Sequence, residues 1–113
     1  MISMRHRFHG YGGVRAVYRE GRVVRGAMMS IKYMDRGKKE GYRAAVVVSK
    51  KVHKSAVTRN RLRRRVYEII RRADKGLTER KDIVLTVFSD RVVELGPEKL
   101  RAEVENLLEK AGR

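Results

Sequence analysis

The sequence predicts an α+β fold, a two-layer sandwich in the order α-β-β-β-α-β-α, formed as one domain over residues 1–113. Three observations carry this. A chain of 113 residues is long enough for one modest hydrophobic core. Two segments, "YRAAVVVSKK" and "DIVLTVF", are apolar in the manner of strands. Two others, 56–73 and 97–111, repeat apolar residues at helical intervals.

Taken in order, "GGVRAVYREG" suggests a short helix ended by Gly21. "RVVRGAMMSIKYM" reads as extended and broken at Gly26, with Ala27, Met29, Ile31 and Tyr33 on one face and Met28, Ser30, Lys32 and Met34 on the other. "DRGKKEG" is a charged turn. In the next strand Tyr42, Ala44, Val46 and Val48 alternate with Arg43, Ala45, Val47, Ser49 and Lys51. Residues 82–88 are almost wholly apolar, as expected of a strand covered on both faces. Pro97 suits the first turn of the last helix, whose Leu100, Val104, Leu107, Leu108 and Ala111 face the core.

Charge narrows the function. The formal net charge is +16, with +8 on residues 1–49, +9 on 50–72, +1 on 73–81 and −2 on 82–113. Such a field repels itself and is best explained by a polyanionic partner. No apolar run approaches the roughly 18 residues of a membrane span, and no signal-peptide core is visible. A membrane-surface helix would also need large apolar residues that here are committed to a core, so nucleic acid is the expected partner. Zero cysteines exclude disulfides and thiolate metal sites and fit a reducing compartment.

The basic helix explains where that partner would sit. At about 100° per residue, Leu62, Val66, Ile69, Ile70 and Ala73 form one stripe facing the sheet. Asn60, Arg64, Tyr67 and Arg71 fall opposite, with Arg61, Arg65, Glu68 and Arg72 on one flank and Arg59 and Arg63 on the other. A solvated face normally alternates sign to gain i,i+4 pairs. Here Glu68 is the one acid among ten Lys and Arg in residues 50–72, placed to offset Arg64, Arg65 and Arg72. Arginine's planar fork suits phosphate and base stacking. Lys50 and Lys51 carry the charge from the preceding strand to the helix start, where Ser55 or Thr58 can cap. A groove with such walls would suit a single nucleic-acid strand better than a duplex.

"VSKKV", a short spacer and "RNRLRR" on a strand-to-helix junction, preceded by "VYREGR", resemble the protein subunit of bacterial ribonuclease P. The resemblance runs from "RHRF" through "EVENLLEKA". It implies a cytoplasmic protein that binds a large catalytic RNA, which removes the 5′ leader from precursor tRNA using Mg2+ held mainly by the RNA. The protein would contact the leader and strengthen substrate and metal binding. It also implies a left-handed βαβ crossover through the basic helix, against the usual handedness. By matching position, Arg59, Asn60, Arg61 and Arg64 correspond to the RNA-binding helix motif, with Arg63 at a basic position; Lys50, Lys51 and Arg71 join this set. The leader cleft would hold Val14, Tyr18, Lys32, Ser49 and Lys51, while Arg5 and Arg7 are further candidate RNA contacts. Val14 stands where the family has an aromatic, Tyr67 at a basic position, and the spacer carries His53 in place of a glycine and one extra residue.

His6 and His9 lack a third ligand and read as exposed or RNA-facing, and His53 as a phosphate contact. No Ser/His/Asp set or carboxylate cluster suggests catalysis by the protein itself. Two rivals remain: a basic ribosomal or RNA-chaperone protein, and a metal nuclease acting alone.

Overall fold

The computed structural model describes residues 11–36, 41–73 and 75–112. Arg5, Arg7, His6 and His9 lie outside the described residues. Helix α1 (Tyr11–Glu20) ends at Gly21, whose N–H donates to the Val17 carbonyl at 2.8 Å. A Cβ at this position would run into that same carbonyl oxygen and lie 3.0 Å from the Tyr33 one, so the close approach demands glycine.

The extended segment that follows is a hairpin. Strands β1 (Arg22–Arg25) and β2 (Met29–Asp35) pair antiparallel, Arg22 opposite Tyr33 and Arg25 opposite Ser30. The break at Gly26 is therefore a reversal, closed by the Gly26 N–H on the Met29 carbonyl. Ala27 falls in the turn and is exposed rather than sharing the inner face with Met29 and Ile31.

Strand β3 (Arg43–Val48) follows, then helix α2 (Ala56–Arg72), the single turn α3 (Lys75–Thr78), strand β4 (Lys81–Val87), a 3-10 turn (Asp90–Glu94) and helix α4 (Pro97–Gly112). The sheet order is β1-β2-β4-β3; β2 pairs β4 antiparallel, while β3 pairs β4 in parallel through α2. The apolar run of β4 thus belongs to a central strand, as its sequence predicts.

The sheet's two faces differ. Met29, Ile31, Ala44, Val46, Ile83, Leu85 and Val87 join Leu62, Val66 and Ile70 of α2 and the buried stripe of α4 in one core. Val17 of α1 and Val84 of β4 are equally buried but lie outside that core. Helix α1 therefore packs on the opposite face, against β2 and β4. At one end of that face Asp82 is buried, its carboxylate taking Arg43 Nε at 2.9 Å and Nη2 at 2.8 Å, with Arg36 Nε at 3.4 Å. Its hydrogen bonds to Asp82 hold the Arg43 guanidinium above its ordinary pKa. Among the described residues, no helix is long and apolar enough to cross a membrane.

Candidate RNA interface

The interface begins at the end of β3. Ser49 N–H donates to Val87 O, and its hydroxyl accepts from the Lys51 N–H at 3.2 Å, so the chain turns and leaves Lys50 and Lys51 exposed. Ser55, rather than Thr58, caps α2: its side chain accepts from the Thr58 N–H at 3.3 Å. The spacer between them is tied internally. His53 Nδ1 accepts from the Ser55 N–H, and Arg59 Nη1 donates to the carbonyls of His53 and Lys54 at 2.8 and 3.0 Å. Arg59 thus holds the spacer through one nitrogen. Sequence reasoning, which saw only its charge, missed this structural role.

Along α2, Asn60, Arg61, Arg63 and Arg64 are exposed, with Arg63 Nη2 donating to Asn60 Oδ1. Two expectations for this helix need correction. Tyr67 is not on the outer face: it is buried, and its hydroxyl accepts from the Val46 N–H at 3.1 Å. Since β3 is an edge strand, that amide has no strand partner, and a tyrosine reaching across the sheet edge supplies the acceptor. The buried stripe is accordingly Leu62, Val66, Tyr67 and Ile70, while Ile69 and Ala73 are only half-buried.

The second correction concerns Glu68. It pairs with Arg71, through two hydrogen bonds, and with Arg72 Nε at 3.0 Å, leaving Arg64 and Arg65 unserved by it. Bonds from Arg71 are the largest of the influences that hold the Glu68 carboxyl down, to about 2. Arg71 therefore sits beside Glu68 and Tyr42, away from the Asn60–Arg64 group with which the wheel aligned it. Burial pushes the Tyr42 hydroxyl up against the lowering effect of Arg71. The positive field of α2 is concentrated in its N-terminal half, where the helix's own partial positive charge adds to it.

The opposite sheet face is only partly covered by α1. Tyr18 is 42% exposed, with Lys32 Nζ 5.1 Å from its ring centre and donating to the Tyr18 carbonyl at 3.1 Å. The register places Lys32 beside Val84 and Ala45, and Ser30 beside Thr86 and Val47. Helix α1 covers the first row, whereas Val47 in the second is 39% exposed. Tyr18 and Lys32 of the expected cleft come together here, while Ser49 and Lys51 lie in the turn that follows the far end of β3. Val14 lies on α1 one turn before Tyr18; its side chain is outside the described ones. Missed by the sequence reading were Val47, Thr86 and Arg25, the last stacked over Phe88 at 5.4 Å. Only cross-strand register brings these together.

Among the described residues, no three His, Cys, Asp or Glu side chains group as a metal site. The hollow between α2 and α4, about 350 Å3, is lined by Arg65, Arg72 and Arg101 against Glu68, Glu98 and Glu105, a balance that disfavours a polyanion.

The profile of the Ribonuclease P family matches residues 3–112. The ribonuclease P protein component of Synechococcus elongatus is 33% identical over 109 residues, covering 94% of this chain and 89% of that protein. The RNase P protein of Thermotoga maritima superposes with a TM-score of 0.75 at 25% identity, covering 86% of this chain and 89% of that one. That of Staphylococcus aureus shares the fold, with a TM-score of 0.82 at 20% identity over 94% of both chains. The chain belongs to the family of ribonuclease P protein components, subunits of the tRNA-processing ribonucleoprotein endoribonuclease.

Proposed function

We propose that this chain, acting in the cytoplasm, docks on the catalytic RNA through the N-terminal half of α2 and receives the 5′ leader of precursor tRNA in the groove beneath α1. The observation that carries the reading is the division between faces. Asn60, Arg61, Arg63 and Arg64 point away from the buried stripe of α2, and the groove lies on the other side of the sheet. One protein can then touch two RNAs at once.

What the protein contributes is charge and position. Guanidinium groups fixed on a helix neutralise phosphates that would otherwise repel as ribozyme and substrate approach. Mg2+ takes oxygen ligands, commonly one or two carboxylates with phosphates. Near the basic half of α2 the nearest acid is Glu68, already engaged by Arg71 and Arg72, so the reading leaves the ion to the RNA.

The test is to add the protein to a bacterial-type ribonuclease P RNA and follow cleavage of precursor tRNA across a Mg2+ titration. The midpoint should fall to lower Mg2+, and Arg61→Ala with Arg64→Ala should return it toward the RNA-alone value. An unmoved midpoint would favour a general RNA-binding role without a part in cleavage, and cutting by the protein alone would mark a nuclease.

A further inference from the structure

We infer that Phe88 and Arg25 form a second base-stacking platform for single-stranded RNA, at the open end of the groove whose covered end holds Tyr18. The inference rests on the leader-groove reading above and extends it by a binding site.

Arg25 lies opposite Ser30, and Ser30 opposite Thr86, so all three side chains share the face covered in part by α1. The Arg25 guanidinium carbon stands 5.4 Å from the Phe88 ring centre, which puts that ring on the same face. Phe88 is held in place by its backbone: its N–H and that of Ser89 both donate to the Met28 carbonyl, at 3.1 and 3.3 Å. Ser49 follows Val48 as Phe88 follows Val87 across a parallel register, so the platform adjoins the turn bearing Lys51. From Val84, beneath α1, to Phe88 the strand advances about 13 Å. A single strand laid along β4 can therefore set different bases on the two platforms.

The chemistry suits RNA. A half-buried phenylalanine at the end of a strand, under an exposed arginine, is poorly used by the core; neither side chain belongs to the main apolar cluster. A guanidinium stacked on a ring keeps its edge donors for phosphate and its second face for a base. Aromatic stacking accepts any base, so the site would sense how much single strand is present rather than its sequence. Positive charge from Arg25, Lys32 and Lys51 along the groove selects a polyanion over an apolar peptide.

The experiment uses the full chain assembled with catalytic RNA, and precursor tRNAs whose leaders shorten stepwise to none. Phe88→Ala should weaken binding of the long-leader substrate roughly five- to a hundredfold, and the leaderless one hardly at all. Phe88→Leu should lose the same affinity while melting close to the parent, and Phe88→Tyr should restore it. Tyr18→Ala, run in parallel, should lose its effect at a different leader length. Failure of the tyrosine to rescue, or equal losses with and without a leader, would overturn the platform. If only Tyr18 shows a leader-dependent loss, the platform is wrong and the groove stands. If neither does, the groove reading falls and the platform with it.

Discussion

Helices α2 and α4 pack on the same sheet face and bury comparable apolar stripes, yet they handle charge in opposite ways. Over its 17 residues α2 carries seven arginines and one acid; α4, with 16, carries three basic and four acidic residues. Helix α4 sets Glu98 in its first turn and Lys110 in its last, complementing the helix dipole, and Arg101 approaches Glu105 at 3.9 Å. Helix α2 has no acid in its first turn and crowds Arg59, Arg61, Arg63 and Arg64 there and just beyond, where the dipole is unfavourable to cations. Packing is sufficient to hold either helix. The difference shows that α2's outer face is shaped for something other than the fold, and substitutions on the two helices can separate packing from charge.

The largest effect should be blind to the difference. Ile70 on α2 and Leu108 on α4 are fully buried in one core. Truncating either to alanine should destabilise by about 2–5 kcal/mol in denaturant titrations. Ile69, half-buried, should lose less. If Ile70→Ala proved mild while Leu108→Ala was severe, α2 would be held by its charges rather than by its stripe.

Next comes Tyr67, which an averaged helical wheel sets among the arginines. Tyr67→Phe keeps the ring but leaves the Val46 N–H without its acceptor, which should destabilise by about 1–2 kcal/mol. RNA affinity, measured under folding conditions, should stay unchanged. A variant as stable as the parent but weaker for RNA would return Tyr67 to the outer face.

Tyr67 also shows where the sequence stops being legible. Periodicity within one segment found α4's stripe, the alternation of β3 and the near-complete burial of β4, because each depends on neighbours a fixed number of residues away. The basic patch was equally readable, since charge needs no register to be counted. What could not be read were contacts across elements: Tyr67 on the edge of β3, Asp82 beneath Arg43, and Arg25 over Phe88. Nothing local marks those partners. The choice of Arg71 over Arg64 by Glu68 was a nearer miss, for both lie within its reach on a helix.

The charge side of the comparison is tested by paired arginines. Arg64→Ala on α2 and Arg101→Ala on α4 should both leave stability within about 0.5 kcal/mol of the parent. Only Arg64→Ala should weaken binding to the catalytic RNA. Its plot of log affinity against log salt should flatten by roughly 0.7–0.9 for each phosphate that is no longer neutralised. Filter binding over a salt series reads both quantities. Equal slopes for the two variants would place the RNA on a diffuse field and not on α2.

The smallest effect belongs to Glu68, the one place where α2 behaves like α4. Its carboxyl is held at about 2, below the ordinary 4.5, with the hydrogen bonds from Arg71 as the largest cause. A group with a depressed folded pKa binds its proton more weakly in the native state. Its contribution to stability is therefore fully present above about 4.5 and is lost as pH falls from there toward 2. The pair is partly solvated and screened, so the contribution is small and should shrink further with added salt. Melting temperatures of the parent and Glu68→Gln should differ slightly near neutrality and converge across that acid window. A gap that stays constant down to pH 2 would mean that Glu68 acts through packing alone. The C-terminal half of α2 would then be as unbalanced as its N-terminal half, and the concentration of field near Asn60–Arg64 would lose its cause.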